Sequence, residues 1–214
     1  MFKRVIESDH GDYFDSMENA REYARTAEKS AKMRFGGFLK ILNSLNIKGN
    51  YLEIGAGSGI LATMIAEMRG DIHITATDTS ENMLTIAKEY IDKRNIYDRI
   101  QLIAGDVENE NFLKRLKKYD LIYSTFSMHH WKNPQKIILN LFNILNDQGA
   151  LLIYDLKRVW WLYWIPKQSG FLKSIRASYR PKEIKKMFAD AGIKNYKLTN
   201  IFPFFLHNIT IRKK

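Results

Sequence analysis

The sequence has 214 residues, with 34 lysines and arginines against 23 acids for a net charge of +11, 45% hydrophobic residues and no cysteine. That apolar share can fill one sizeable core, and the missing cysteines exclude disulfides, thiolate metal sites and cysteine nucleophiles. No run approaches the roughly 18 to 20 apolar residues that span a bilayer, and no secretory leader pattern is present, so one cytoplasmic domain is expected. The positive charge would attract nucleic acid, anionic lipid or an acidic substrate, but it also suits plain solubility because the bases are scattered.

In chain order, Ser16 to Leu45 has apolar residues at helical spacing, among them Met17, Ala20, Ala24, Ala27, Ala31, Phe38 and Leu42, with Gly36-Gly37 expected to split the stretch into two helices. Short apolar runs then alternate with helical stretches: strand 51–54, helix 58–68, strand 72–77, helix 80–93, strand 100–104, helix 109–117, strand 121–124, helix 134–145 and strand 150–154. Such alternation predicts an α/β fold, a doubly wound parallel sheet covered on both faces. Residues 156–180 break the rhythm with aromatics and bases. A helix over 181–191, stopped by Gly192, precedes strands near 196–199 and 204–211. With no helix between them, these two should form a hairpin and place one antiparallel strand in the sheet.

The strongest local signal is Leu52-Glu53-Ile54-Gly55-Ala56-Gly57-Ser58-Gly59, a strand running through alternate glycines into a helix. Glycine lets the backbone approach a ligand and take positive φ, while the helix start offers free N–H groups. The third glycine comes one residue earlier than in the dinucleotide fingerprint, which argues against a pyrophosphate ligand and a dehydrogenase. Strand two ends at Asp78, suited to accept from two ribose hydroxyls, and strand three leads to Asp106; strand ends are where open parallel sheets bind ligands. Taken alone, either acid reads as a solvated helix cap.

Taken together, these residues resemble the class I S-adenosylmethionine-dependent methyltransferases, in the small-molecule branch, over most of the chain. The resemblance implies a seven-stranded Rossmann-like sheet of order 3-2-1-4-5-7-6 with strand 7 antiparallel, plus an N-terminal helical lid over residues 1–48. It further implies a cofactor core over 49–155, a substrate-side insert over 156–180, and a last helix and hairpin over 181–214. The implied cofactor is S-adenosyl-L-methionine. Gly55, Ala56, Gly57 and Gly59 would cradle its methionine half with Glu53 near the amino group; Asp78 and Thr79 would take the ribose, Asp106 and Val107 the adenine, Ser124 the methionine moiety, and Tyr13, Phe14 and Tyr23 would close over it. Asn146-Asp147-Gln148-Gly149 departs from the commoner Lys-Pro-Gly turn before strand five.

Methyl transfer from a sulfonium is an in-line displacement, so the expected work is alignment and exclusion of water. If the acceptor loses a proton, His129 or His130 after strand four is the candidate base; packing is the alternative role. Trp160, Trp161, Tyr163 and Trp164 can line an apolar pocket, dip into a membrane interface, or pack as a short helix on the core. Arg176 and Tyr179, with Arg180, can meet an acceptor carboxylate or phosphate, or form a solvated face. The expected partner is a small, apolar or aromatic acceptor. An RNA or protein acceptor is weighed against Ser124-Thr125-Phe126-Ser127, which lacks the Pro-Pro signature of amino methylation. A third reading is a non-catalytic membrane-surface protein that keeps the fold. No His, Asp and Glu grouping has metal-ligand spacing, so no metal is expected.

Overall fold

A computed structural model describes residues 3–5, 14–165 and 170–213. Helix α1 (Met17–Leu45) leads into β1 (Gly49–Ile54), α2 (Ile60–Met68), β2 (Ile72–Asp78), α3 (Glu81–Asp92), β3 (Ile100–Ala104), a short α4 (Glu110–Leu113) and β4 (Tyr119–Thr125). A 3-10 turn (Met128–His130), α5 (Pro134–Asn143) and β5 (Leu145–Leu156) follow. The chain continues through a second 3-10 turn (Trp160–Trp164), α6 (Gly170–Ala177), α7 (Pro181–Asp190), β6 (Tyr196–Ile201) and β7 (Leu206–Arg212). The strands form one sheet of order β3-β2-β1-β4-β5-β7-β6. Strand β7 runs antiparallel to both neighbours, and the remaining pairings are parallel.

Layering follows from alternation along the central strands. Tyr51, Leu121, Tyr123, Leu152 and Tyr154 point to one face, beneath α1, α2 and α6, while Leu52, Ile54, Ile122, Leu151 and Ile153 point to the other, beneath α5 and α7. Both faces are covered, so β4 and β5 read as nearly continuous apolar runs.

Three expectations need correction. Gly36 and Gly37 do not split the first helix: α1 runs unbroken for 29 residues, from the Ser16 cap to Asn46 at φ 49°. Each glycine costs about 1 kcal/mol relative to alanine, which burial along one face offsets. A Cβ on Gly37 would lie 2.8 Å from the Tyr154 hydroxyl, so this glycine lets the helix settle on the sheet. Strand β5 begins at Leu145 rather than at 150, because the Asn146 to Gly149 turn forms an irregularity in the β4 pairing, with Gln148 at φ 64° and Asn146 Nδ2 donating to Asp120 Oδ1 at 2.7 Å. Residues 156–180 contain α6, which seats Leu172 and Ile175 in the core, a spacing of three within an otherwise basic segment.

If α1 is a structural layer as well as a cover, Phe38→Ala should be costly. Its fully buried ring lies 5.5 Å from Tyr123 and 6.0 Å from Tyr154. Urea denaturation should show a loss of about 3–5 kcal/mol, whereas a loosely attached helix would give almost none.

Candidate active site

The glycine loop is fastened to the end of β2. Both Gly55 N–H and Ala56 N–H donate to the Thr77 carbonyl at 2.9 Å, and Gly57 N–H donates to Asp78 Oδ2 at 2.7 Å. Gly55, Gly57 and Gly59 have φ of 74°, 54° and 71°, a region unfavourable to any side chain. They differ in what surrounds them. A Cβ on Gly55 would strike Ser127 Oγ and one on Gly59 would strike Ala87, whereas one on Gly57 would meet only Met83 Cε, at 3.5 Å. Gly57 is thus the position where backbone faces open space.

Asp78 also accepts from Ser80 N–H at 3.0 Å, so its carboxylate braces both the loop and the start of α3. Burial raises its pKa, opposed by the Ser80, Gly57 and Thr79 N–H groups. Two of roughly four acceptor sites on the carboxylate are used by these bonds. The helix cap itself is Ser80, whose hydroxyl accepts from Met83 N–H. Beneath the loop, Glu53 is fully buried, and burial pushes its carboxyl up to about 8; the Tyr123 hydroxyl, at 3.3 Å, works against the rise and the nearby Asp78 adds to it. Asp106 is exposed and closes a turn by accepting from Glu108 N–H at 2.8 Å; Val107 beside it is buried and Thr79 is exposed.

Ser124 is fully buried and donates to the Ile54 carbonyl at 3.0 Å, which locks the ends of β1 and β4 together from below. Tyr23 stands half-exposed on α1, edge-on to Phe14 and accepting from Arg34 Nη2 at 3.1 Å. Arg34 also covers Phe126 at 5.3 Å, a residue at φ 55° just beyond β4. The start of α1 is pinned to α3 by the paired Arg21 and Glu89 and by Asn82, which donates to the carbonyls of Phe14 and Asp15. Tyr13 lies outside the described residues.

His129 is buried. Its N–H donates to Asp155 Oδ2 at 2.9 Å, and its Nδ1 lies 2.7 Å from Asp155 Oδ1. His130 is exposed, with its ring 3.9 Å from that of His129. Burial works against ionisation of Asp155, yet His129, His207 and the Leu156 N–H together hold its pKa below the usual carboxylate range. Asp155 and His207 face each other across β5 and β7, and both ring nitrogens of His207 lack a hydrogen-bond partner among the described residues.

On the insert the tryptophans do not pack on the core. Trp160 is 64% exposed, Trp161 43% and Trp164 74%, while Leu162 turns inward. The amphipathic spacing of the 3-10 turn assigns the buried position to leucine. Arg176 donates to the Ile165 carbonyl and stacks over Tyr163 at 5.3 Å. Tyr179 is buried beneath Arg4, whose guanidinium lies 4.2 Å from the ring, and both border a hollow of about 400 Å³ between α5 and α7. Arg4, Asp155 and the buried Arg158, paired with Glu183, were not singled out from the sequence; a lone base or strand-end acid gives no spacing signal.

Residues 52–151 match the family described as "Methyltransferase domain". The matched residues make up a little under half of the chain, which is similar to that family over this stretch. It is 27% identical over 166 residues to the ubiquinone biosynthesis O-methyltransferase of Rickettsia canadensis, covering 70% of this chain and 64% of that one. It is 33% identical over 110 residues to the malonyl-[acyl-carrier protein] O-methyltransferase of Priestia megaterium, covering 51% and 38%. The chain spans less than two thirds of the length of these curated relatives. The fold is shared with an S-adenosyl-L-methionine-dependent methyltransferase structure from Methanococcus maripaludis (TM-score 0.76, 23% identity, 97% of both chains). It is also shared with the plantazolicin methyltransferase BamL in complex with a triazolic desmethylPZN analogue and SAH (TM-score 0.74, 20% identity, 94% and 93%). Among the described residues no three His, Asp or Glu side chains gather as metal ligands, and no helix is long and apolar enough to cross a membrane.

His207 contributes to the acid sensitivity of this fold. Burial lowers its pKa from 6.5 to about 4, so it stabilises the fold above the unfolded value and loses that contribution as pH falls from 6.5 through 4. The integrated loss is on the order of 3 kcal/mol. His207→Leu should therefore flatten the fall in thermal midpoint over that window, and an unchanged acid limb would contradict the assignment.

Proposed function

We propose that the chain transfers a methyl group from S-adenosylmethionine to a small, apolar or aromatic acceptor. The observation that carries this reading is the cradle at Gly57: open backbone at positive φ, anchored by the Asp78 carboxylate, above a buried Glu53 carboxyl that no cation among the described residues neutralises. Such a set fits a ligand with both hydroxyls and an ammonium. The family match and the O-methyltransferase relatives support the same cofactor and a small acceptor.

In this reading Asp78 keeps acceptor capacity for the ribose beside its two backbone bonds, Asp106 and Val107 frame the adenine, and Glu53 meets the amino group. When bound, the cofactor would supply an electrophilic methyl carbon on a sulfonium, and in-line attack by the acceptor would break the C–S bond with S-adenosylhomocysteine as leaving group. The protein's task is alignment and exclusion of water. Ser124 sets the β1 and β4 ends, and the Arg34, Tyr23 and Phe126 group stands on the α1 side. His129, buried against Asp155, positions the turn that carries Phe126 and Ser127, and the exposed His130 is the histidine able to take an acceptor proton directly. Arg176 is assigned to the acceptor side, with Trp160, Trp161 and Trp164 at its exposed margin, whereas Tyr179, buried beneath Arg4, packs on the α5 and α7 face of the sheet.

Calorimetric titration with S-adenosylhomocysteine tests the cofactor assignment. Binding should be abolished in Gly57→Val and weakened by about 1.5–3 kcal/mol in Asp78→Ala; a folded protein that binds neither this product nor S-adenosylmethionine would refute the reading. The Glu53 carboxyl, at about 8, is protonated at neutral pH in the free protein, and an ammonium pairs with its ionised form. Affinity should therefore rise with pH between about 6 and 8, by up to about tenfold per unit, and become flat in Glu53→Gln.

A further inference from the structure

We propose that the chain docks on an anionic phospholipid surface through an aromatic rim at the cofactor edge of the sheet. Trp160, Trp161, Trp164, Phe171, Phe202 and Phe204 are all at least 43% exposed, whereas the fourth tryptophan, Trp131, is buried. They come from three separate segments that contacts draw into one surface. Phe171 of α6 lies 5.5 Å from Phe205 of the β6–β7 turn, Lys157 N–H donates to the Phe205 carbonyl at 2.7 Å, and Lys157 Nζ donates to Asn200. Arg176 of α6 in turn donates to the Ile165 carbonyl and covers Tyr163.

Charge identifies the occupant. Between Asp155 and Glu183 the sequence carries seven lysines and arginines and no acid, of which Arg158 is buried against Glu183; the bases after Asp190, such as Lys197 and Arg212, lie at the opposite end of the β6–β7 hairpin from Phe202 and Phe204. Trp160, Trp161, Trp164 and Phe171 lie in this acid-free stretch, although the whole chain holds 23 acids. Large aromatics flanked by bases and free of carboxylates match the headgroup region of an anionic bilayer, where indole and phenyl rings partition and each nearby base adds attraction. Phe202 and Phe204 also project from a turn tip, a shape suited to insertion between headgroups rather than to a protein pocket.

The rim's location gives the docking a use. Leu156, Ile201 and Leu206 are paired neighbours where β5, β6 and β7 meet the rim, at the same sheet edge as the glycine loop. The surface itself stands apart from the methyl-transfer reading, but its use rests on that reading: an amphiphilic acceptor dissolved in the bilayer would reach the cofactor edge without leaving the lipid.

The test is flotation of the full chain with vesicles of phosphatidylcholine alone and of phosphatidylcholine mixed with phosphatidylglycerol. Flotation with the anionic vesicles only, reduced by salt and accompanied by a blue shift of tryptophan emission, is expected. The double variant Phe202→Ser, Phe204→Ser should lower the partition coefficient by about tenfold or more, with thermal midpoint and S-adenosylhomocysteine affinity unchanged. Failure of the parent protein to float, or equal flotation of parent and variant, would overturn the proposal. Concentration-dependent dimerisation that the variant abolishes, without flotation, would assign the rim to a second copy of the chain instead. Calorimetry on the same preparation separates the two readings: retained product binding without flotation removes only the docking surface, and flotation without product binding removes only the cofactor assignment.

Discussion

The hydrogen bond from Gly57 N–H to the Asp78 carboxylate, with the Gly55 and Ala56 N–H groups on the Thr77 carbonyl, organises the glycine-loop edge of the sheet. It bends the chain away from β1 at positive φ and aims it at α2, and it requires β1 and β2 to be adjacent. The parallel pairing that ends at Ile54 opposite Thr77 supplies that adjacency. Asp78 then braces Ser80, the cap of α3, so one carboxylate sets the loop and the helix against which the start of α1 packs. Met83 of α3, close to Gly57 and in contact with Ala20 and Ala24, carries the linkage into the N-terminal helix.

Three strand-end carboxyls differ in what the fold does for them. Asp155 accepts three bonds from His129 and Leu156, and its pKa is lowered despite burial. Glu53 has only a long contact from Tyr123, and it is raised. Asp78 lies between, bonded by backbone yet still raised. A carboxyl the fold has satisfied holds structure; one left at a cost in a ligand-facing edge is a candidate to meet a cation. By this criterion Asp155 anchors the turn after β4, whereas Glu53 has no neutralising cation among the described residues.

Periodicity made the sheet legible, because each central strand is buried on both faces and reads as a short apolar run between glycine or polar breaks. The loop glycines and strand-end acids were legible for the same reason, since parallel topology forces ligand groups onto turns that follow strands. Signals that depend on tertiary partners were not. Gly36 and Gly37 look like breakers until Tyr154 and Ile201 are placed beside Gly37. The tryptophans leave pocket, membrane-interface and core readings open until Leu162 is seen to take the buried position of the 3-10 turn. Asp155 and His207 are separated by some fifty positions, and only the β5–β7 register makes them neighbours.

The same topology constrains where a docking surface can be useful. Parallel strands β1, β4, β5 and β6 end on one side, so the glycine loop, the turn at 126–130, the insert after Leu156 and the β6–β7 turn all emerge there. The antiparallel β7 sends its N-terminal end, not its C-terminal end, to this side, which is why the hairpin tip carrying Phe202 and Phe204 joins the insert instead of lying at the far edge. An aromatic surface on α5 or α7 would have a sheet between it and the cradle. Placed on the strand-end edge, it brings whatever it binds to the side on which methyl transfer would take place.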